Sequence, residues 1–156
     1  MARPQRKGLL YFPMDVDFFQ SSELRLLFIR HHSKGVHLYL KILCDIYEKG
    51  YYLEVTSDYI ELCCIEMSIQ KDDFDKMLRY YLSRNFFDND TYFLNKALTS
   101  REIQLQYCES VKEKAKKTPI YVYDNWLLKQ DDTNAQVYLS WKNEQIKEKK
   151  NKVNNK

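Results

Sequence analysis

The sequence predicts a mainly α-helical fold with a small β-hairpin wing, in the order of a winged helix-turn-helix. Glycine and proline each occur only three times in 156 residues and 44% of residues are hydrophobic, which favours a globular, helix-rich chain. Apolar residues recur at helical spacing in several segments, and two of these segments meet at a tight turn near residue 68. Two short apolar segments that flank the polar pair Asn89 and Asp90 then predict the hairpin.

A basic arm, residues 1–8, opens the chain and carries Arg3, Arg6 and Lys7 without any acidic residue. The main domain is predicted over residues 9–117. Its first part, residues 9–20, is rich in aromatic side chains, and Pro13 excludes a helix interior there. We therefore expect an extended aromatic segment that packs across the domain.

Two helices and a short strand are predicted next. Ser21 or Ser22 caps a first helix that reaches about His31, and Ser33 begins a second. Gly50 stands where a glycine commonly ends a helix, and residues 51–55 form the strand. Six apolar residues of the second helix fall at helical spacing: Val36, Tyr39, Leu40, Leu43, Ile46 and Tyr47.

The helix-turn-helix is assigned to the third and fourth helices. Thr56 or Ser57 caps the third helix, and Ser68 begins the fourth after a turn at residues 67–69. The inward side chains are expected to be Ile60, Cys63, Cys64 and Met67 on the third helix and Phe74, Met77, Leu78, Tyr81 and Leu82 on the fourth.

The wing is predicted at residues 86–94, because Asn89 and Asp90 tolerate the positive φ angles of a tight turn between two apolar segments. A fifth helix follows from about Thr99 to Lys117 and is ended by Pro119. Residues 118–156 are predicted as a short aromatic segment and a lysine-rich tail. Within them, residues 134–149 suit a helix, and the end of the chain is expected to be disordered.

Charge is distributed unevenly along the chain. Residues 9–100 contain 10 basic and 14 acidic residues, whereas residues 101–156 contain 12 basic and 8 acidic residues. Basic ends on an acidic body suggest arms that meet an anionic polymer. The alternative is that the ends are solvated tails whose charge only keeps them in water.

The fourth helix occupies the position of a DNA-recognition helix, where Lys76 and Arg79 could contact guanine or phosphate. Its first turn carries Asp72, Asp73 and Asp75, which stabilise the helix dipole but would repel phosphate. A structural or protein-contact face is the alternative interpretation of this helix. Because of these acids, we expect any DNA binding to tolerate sequence changes rather than to read bases.

The main phosphate-contact candidates are four lysines at the end of the fifth helix, joined by Arg101 and the N-terminal arm. Cations also favour a helix C-terminus, so these lysines could simply stabilise the helix. The four lysines are Lys112, Lys114, Lys116 and Lys117.

Enzymatic and metal chemistry find no support in the sequence. The four cysteines and three histidines lack zinc-ligand spacing, and the pair Asp15 and Asp17 lacks a third acid. No nucleophile–base motif or phosphate-binding glycine loop is present. Without a signal peptide or an apolar run long enough to span a membrane, we expect a cytoplasmic protein with reduced thiols, no cofactor and no membrane partner.

Three segments of the chain have a recognisable pattern. The first, residues 3–19, reads RPQRKGLLYFPMDVDFF, the second covers residues 34–52, and the third reads LTSREIQ at residues 98–104. Together they resemble the N-terminal domain of phage and mobile-element replication proteins that are themselves similar to the replication initiation factor DnaD. The resemblance implies a winged-helix domain that self-associates and works in phage replication. We do not expect the second, DNA-binding helical domain of DnaD-like proteins after residue 107.

Three functional hypotheses follow. The leading one is a non-enzymatic, DNA-associated adaptor of phage or mobile-element replication, which self-associates through its body and contacts replication proteins. The second is a protein-interaction module without DNA affinity. The third is a sequence-specific winged-helix transcriptional regulator.

Overall fold

The computed structural model describes residues 8–133 and 137–139. Its described part is mainly helical, with two small two-stranded sheets, as the composition predicted. The chain divides into two compact units, Met1–Ser100 and Arg101–Lys156. In the described residues, no helix combines the length and the apolar character needed to cross a membrane.

The predicted aromatic segment packs on the protein in part. The Leu9 N–H donates a hydrogen bond of 2.7 Å to the carbonyl oxygen of Tyr47, and the ring of Phe12 stacks on the Tyr47 ring at 4.6 Å. Tyr11 and Val16 remain exposed. The regular structure of this segment, within its described residues, is a 3-10 turn at Phe18–Gln20.

Helix α1 spans Ser22–Lys49 and is interrupted at His32, whose φ of 55° and ψ of −156° lie outside the helical region. The predicted boundary between a first and a second helix is therefore confirmed as a kink. The Ser21 side chain accepts a hydrogen bond from the Leu24 N–H, and Gly50 ends the helix with a φ of 135°.

The second part of α1 runs through the core of the first unit. Ile46 of the predicted apolar face is fully buried, and so are Leu38 and Ile42, which the prediction did not include. A side chain at Gly35 would have its Cβ only 2.5 Å from the Cβ of His31, so this position requires glycine. The kinked turn of the helix is thus closely packed.

The predicted helix pair is present as α2, Ser57–Met67, and α3, Lys71–Ser83. The two helices pack against each other. Helix α3 begins three residues later than predicted, because Ser68 ends α2 in a left-handed conformation and Gln70 caps α3. The predicted inward face of α3 is confirmed in full, with Phe74, Met77, Leu78, Tyr81 and Leu82 all buried. On α2 only Cys63 is fully buried.

The prediction of a hairpin wing at residues 86–94 is wrong. Residues Asn89–Asn95 form a short helix, α4, because the Asp88 carboxylate accepts hydrogen bonds from the Thr91 N–H at 2.9 Å and the Thr91 hydroxyl at 2.6 Å. The predicted strand after α1 is present as β1, Leu53–Glu54. Its antiparallel partner is β2, Ala97–Leu98, which follows α4.

The second unit starts with α5, Arg101–Lys117, as predicted. Strand β3, Ile120–Val122, pairs in parallel with β4, Val137–Leu139, and a 3-10 turn occupies Gln130–Asp132. Strand β4 contradicts the helix predicted over residues 134–149, and the rest of that segment lies outside the described residues.

Gln104 anchors the loop between β3 and the 3-10 turn of this unit. Its buried side-chain amide donates to the Asn125 carbonyl at 2.8 Å and accepts from the Leu127 N–H at 2.7 Å.

Candidate nucleic-acid interface

The outer face of α3 and the end of the first part of α1 together form an open concavity of about 610 Å³. Lys76 and Arg79 are three residues apart and therefore project from the same side of α3. Six side chains line the concavity: Arg30 and His31 from α1, and Lys76, Arg79, Tyr80 and Ser83 from α3.

The cations of this concavity lack a neutralising partner within the described part of the chain. Among the described residues, no carboxylate lies within ion-pair distance of Arg30, Lys76 or Arg79. The neighbouring Arg84 differs, since its guanidinium makes two contacts of 2.9 and 3.1 Å with the Glu23 carboxylate. Unpaired guanidinium and ammonium groups around a concave surface are suited to binding phosphate oxygens.

His31 and Tyr80 supply the polar groups between these cations. Their rings meet edge to face, with the centroids 5.1 Å apart. Burial lowers the pKa of His31, and the nearby charges of Arg30 and His32 lower it further. The Tyr80 hydroxyl oxygen is buried and, among the described residues, has no hydrogen-bond partner.

The kink at His32 sets the direction of the residues before it. A φ of 55° with a ψ of −156° is close to a backbone region that is almost restricted to glycine, so His32 stores strain. The kink separates the turn that carries Arg30 and His31 from the second part of α1. Strained residues of this kind cluster at functional sites, which is consistent with a binding role for this surface.

Most other predicted DNA contacts lie in the second unit, where several already have partners. Arg101 forms a two-pronged ion pair with Asp132. Lys112 lies 3.8 Å from the Glu109 carboxylate and Lys116 lies 2.7 Å from that of Glu113. Lys114 and Lys117 are exposed and, within the described residues, have no ion pair. Three predicted contacts, Arg3, Arg6 and Lys7, lie outside the described residues.

A second concave surface in the first unit is apolar. It has a volume of about 690 Å³ and lies along the kinked part of α1 beside the 3-10 turn. Phe19, Phe28 and Ile29 are more than half exposed around it. Its lining is completed by Leu24, Arg25, Ser33, Val36, His37 and Leu40.

The other polar cluster of the first unit has the character of a structural network. The Tyr59 hydroxyl donates to the Asp45 carboxylate at 2.7 Å, and Lys41 bridges Asp45 at 3.2 Å and Glu66 at 3.0 Å. Burial opposes the charge of Lys41, but its hydrogen bonds to both carboxylates leave its pKa raised. The charges of Lys41, Asp45 and Glu66 are thus paired with one another. Among the described residues no group of three or more potential metal ligands occurs.

Sequence reasoning found Lys76 and Arg79 but missed Arg30 and His31. Arg30 and His31 lie at least 40 positions before α3 in the chain, so only the packing of the two helices brings them to Lys76 and Arg79. The available signal was the predicted helix break that follows them, since backbone breaks often accompany binding sites.

Comparison with known proteins identifies relatives of the chain. A family model described as Lin1244/Lin1753-like, N-terminal, matches residues 11–103. A protein of Listeria innocua serovar 6a, described as the uncharacterized phage-related protein Lin1244/Lin1753, is 25% identical over 123 residues. The match covers 79% of this chain but only 40% of that protein, so the chain spans less than half of its relative's length. No solved structure gives a significant match.

Proposed function

We propose that this chain, which belongs to the Lin1244/Lin1753-like N-terminal family, is a non-enzymatic, DNA-associated adaptor of phage or mobile-element DNA replication. The phage setting is drawn from the description of the Listeria relative as phage-related. The DNA-binding part rests on one observation, the convergence of the unpaired cations Arg30, Lys76 and Arg79 around an open concavity. The replication part rests on the resemblance to DnaD-like proteins.

The proposed contacts are to phosphates rather than to bases. Reading helices normally place their N-terminal residues at the base edges, and that end of α3 carries Asp72 and Asp73. Asp73 is further committed, because its carboxylate accepts the Gln70 N–H as part of a helix cap. The cations lie further along the helix. Binding through them depends on the charge of the DNA backbone and tolerates changes of sequence.

The proposal also includes an assignment of the fold. The helices α2 and α3 are taken as the helix-turn-helix of a modified winged helix, in which α4 replaces the first strand of the wing. The pairing of β1 with β2 supports this assignment, since a strand before the helix pair contacts one that follows it.

Fluorescence anisotropy with two unrelated labelled duplexes over a series of salt concentrations tests DNA binding. We expect the two duplexes to bind equally well. The combined variant Arg30→Gln, Lys76→Gln and Arg79→Gln should weaken both, and the log–log salt slope should fall by about 0.9 for each phosphate that the variant no longer neutralises. A matched control replaces the exposed Lys34, Lys49 and Lys71 by Gln, which changes the net charge equally.

An equal drop in affinity in the two triple variants would contradict the proposed site, because overall charge would then explain the binding. A second result would also overturn the proposal. If Arg79→Ala abolished binding to one preferred sequence only, the protein would be a base-reading transcriptional regulator.

Self-association completes the proposal. The exposed side chains Phe19, Phe28 and Ile29 form an apolar patch beside a groove, and contiguous apolar patches mark interaction surfaces. Light scattering at high micromolar concentration should show an oligomer that the double variant Phe28→Ser and Ile29→Ser reduces to a monomer. The exposed apolar pair Phe93 and Leu94 on α4, changed in the same way, is the control.

The same patch favours one alternative, a protein-interaction module without DNA affinity. It predicts that both duplexes fail to bind even at low salt, whereas the Phe28 and Ile29 variant no longer binds its protein partner. The four cysteines are free, which suits the reducing cytoplasm that we propose as its compartment.

A further inference from the structure

His31 stands among positive groups in the described part of the chain. Arg30 and His32 face it from its own helix, while Lys76, Arg79 and Tyr80 belong to the facing wall on α3. Among the described residues, no carboxylate lines the concavity. In the free protein these surroundings favour the neutral imidazole, because a proton on His31 would add a further positive charge to a cationic and partly buried place.

We propose that this concavity seats one backbone phosphate of DNA and that His31 takes up a proton from the solvent when the phosphate binds. The inference rests on the proposed function, since it names the group of the DNA that occupies the site. No covalent bond changes in this step apart from the proton transfer itself. The proton leaves a water or buffer molecule and joins the ring nitrogen that carries no hydrogen.

A bound phosphate reverses the electrostatic preference of the site. Its negative charge stabilises the imidazolium, which is the opposite of what Arg30 and His32 do in the free protein. Protonation also gives the ring a second N–H donor, and a hydrogen bond between two charged groups is stronger than one between neutral groups. Phosphate binding and proton binding therefore favour each other.

The Tyr80 hydroxyl supplies a further donor. A buried hydroxyl without a partner among the described residues is costly, so the free protein leaves a hydrogen bond of this group unmade. Because the hydroxyl oxygen is buried, a phosphate oxygen reaches it only when the side chains that cover it change rotamer. Exposed side chains change rotamer within nanoseconds, so this movement does not limit binding.

The first experiment follows duplex affinity between pH 8 and pH 5.5 at constant ionic strength. As the pH falls, the affinity of the unaltered protein should rise, by up to about tenfold for each unit by which DNA binding raises the pKa of His31. His31→Gln should remove most of this dependence. His37→Gln is the matched control, because His37 lies on the same helix but lines the apolar groove.

The second experiment follows the three histidine rings directly by NMR as the pH changes, with and without saturating duplex. We expect the His31 titration to move to higher pH when the duplex is bound. Binding without any movement of the His31 titration would overturn the inference and leave the proposed function standing. Absence of duplex binding at every pH would overturn both.

Tyr80→Phe tests the hydroxyl separately from the fold. Removing a hydrogen bond to a charged group should lower duplex affinity by about tenfold. Thermal stability should stay equal or increase, because the substitution removes a buried group that has no partner among the described residues. Unchanged affinity together with increased stability would exclude Tyr80 from the phosphate site.

Discussion

Arg101 and Asp132 form a two-pronged ion pair across 31 residues of the second unit, with Nη2–Oδ1 and Nη1–Oδ2 distances of 2.9 and 3.1 Å. The sequence predicts Arg101 as a DNA contact. Its charge is offset by this carboxylate, which also accepts the Lys129 N–H at 2.7 Å. Arg101 is therefore positioned to hold the 3-10 turn of its own unit. A phosphate would have to displace the Asp132 carboxylate from the Arg101 guanidinium.

The first prediction concerns the acid stability of this pair. Hydrogen bonds from Arg101 and from the Lys129 N–H lower the pKa of Asp132 from its usual 3.8 to about 2. Because the folded pKa lies below the unfolded one, the stabilisation is present above about pH 4 and is lost as the pH falls through about 2.

Arg101→Gln should bring the pKa of Asp132 back towards 3.8, as NMR of the side-chain carboxyl would show. The pH at which acid unfolds half of the protein should then be higher. Lys129→Gln is the control, because the hydrogen bond of this residue comes from its backbone and should survive. An unaltered Asp132 titration in Arg101→Gln would mean that the ion pair does not form in solution.

The second prediction tests the packing of α3. Leu78 is 4% exposed and Leu62, on α2, is 57% exposed. Leu78→Ala should lower the free energy of unfolding by about 2–5 kcal/mol, since it leaves a cavity in the core. Leu62→Ala should change it by less than about 0.5 kcal/mol. Chemical denaturation measures both, and similar losses of stability would mean that the inward face of α3 is assigned incorrectly.

The third prediction concerns the strain at His32. Its backbone conformation is one that glycine adopts without penalty, so His32→Gly should raise the free energy of unfolding by about 1 kcal/mol after allowance for the entropy of glycine. His37→Gly, in a regular part of the same helix, should lower it by about 1 kcal/mol. Equal losses of stability in the two variants would indicate that His32 carries no strain.

Helical periodicity predicted α1, α2, α3 and α5 because their buried faces are local properties of the sequence. It failed at residues 86–94, where Asp88, Asn89 and Asp90 suit both a hairpin turn and a helix start. The hydrogen bonds from Thr91 to Asp88 decide in favour of the helix.

Pairings between distant residues could not be predicted in this way. Strands β1 and β2 are two residues long and more than 40 positions apart, and β4 forms a strand through its pairing with β3. The candidate site has the same limitation. The helical period places Lys76 and Arg79 on the outward face of one helix, so the sequence predicts them together. Arg30 and His31 join them only through tertiary packing.

The last prediction separates the lysines at the end of α5. Lys112 and Lys116 face Glu109 and Glu113 one helical turn earlier, whereas Lys114 and Lys117 have no ion pair among the described residues. If this end of α5 contacts DNA, changing the latter two to Gln should lower the log–log salt slope by about 0.9 for each phosphate that is no longer neutralised.

The matched variant changes Lys112 and Lys116 to Gln and alters the net charge equally. It should lower the slope less, because a phosphate must compete with the glutamates for these two lysines. Exposed ion pairs are weak, at about 0–1 kcal/mol, so some contribution should remain. Salt titration of duplex binding measures both slopes. If neither pair of lysines alters the slope, α5 takes no part in DNA binding, and any binding observed falls to the basic concavity of α1 and α3 or to the N-terminal arm.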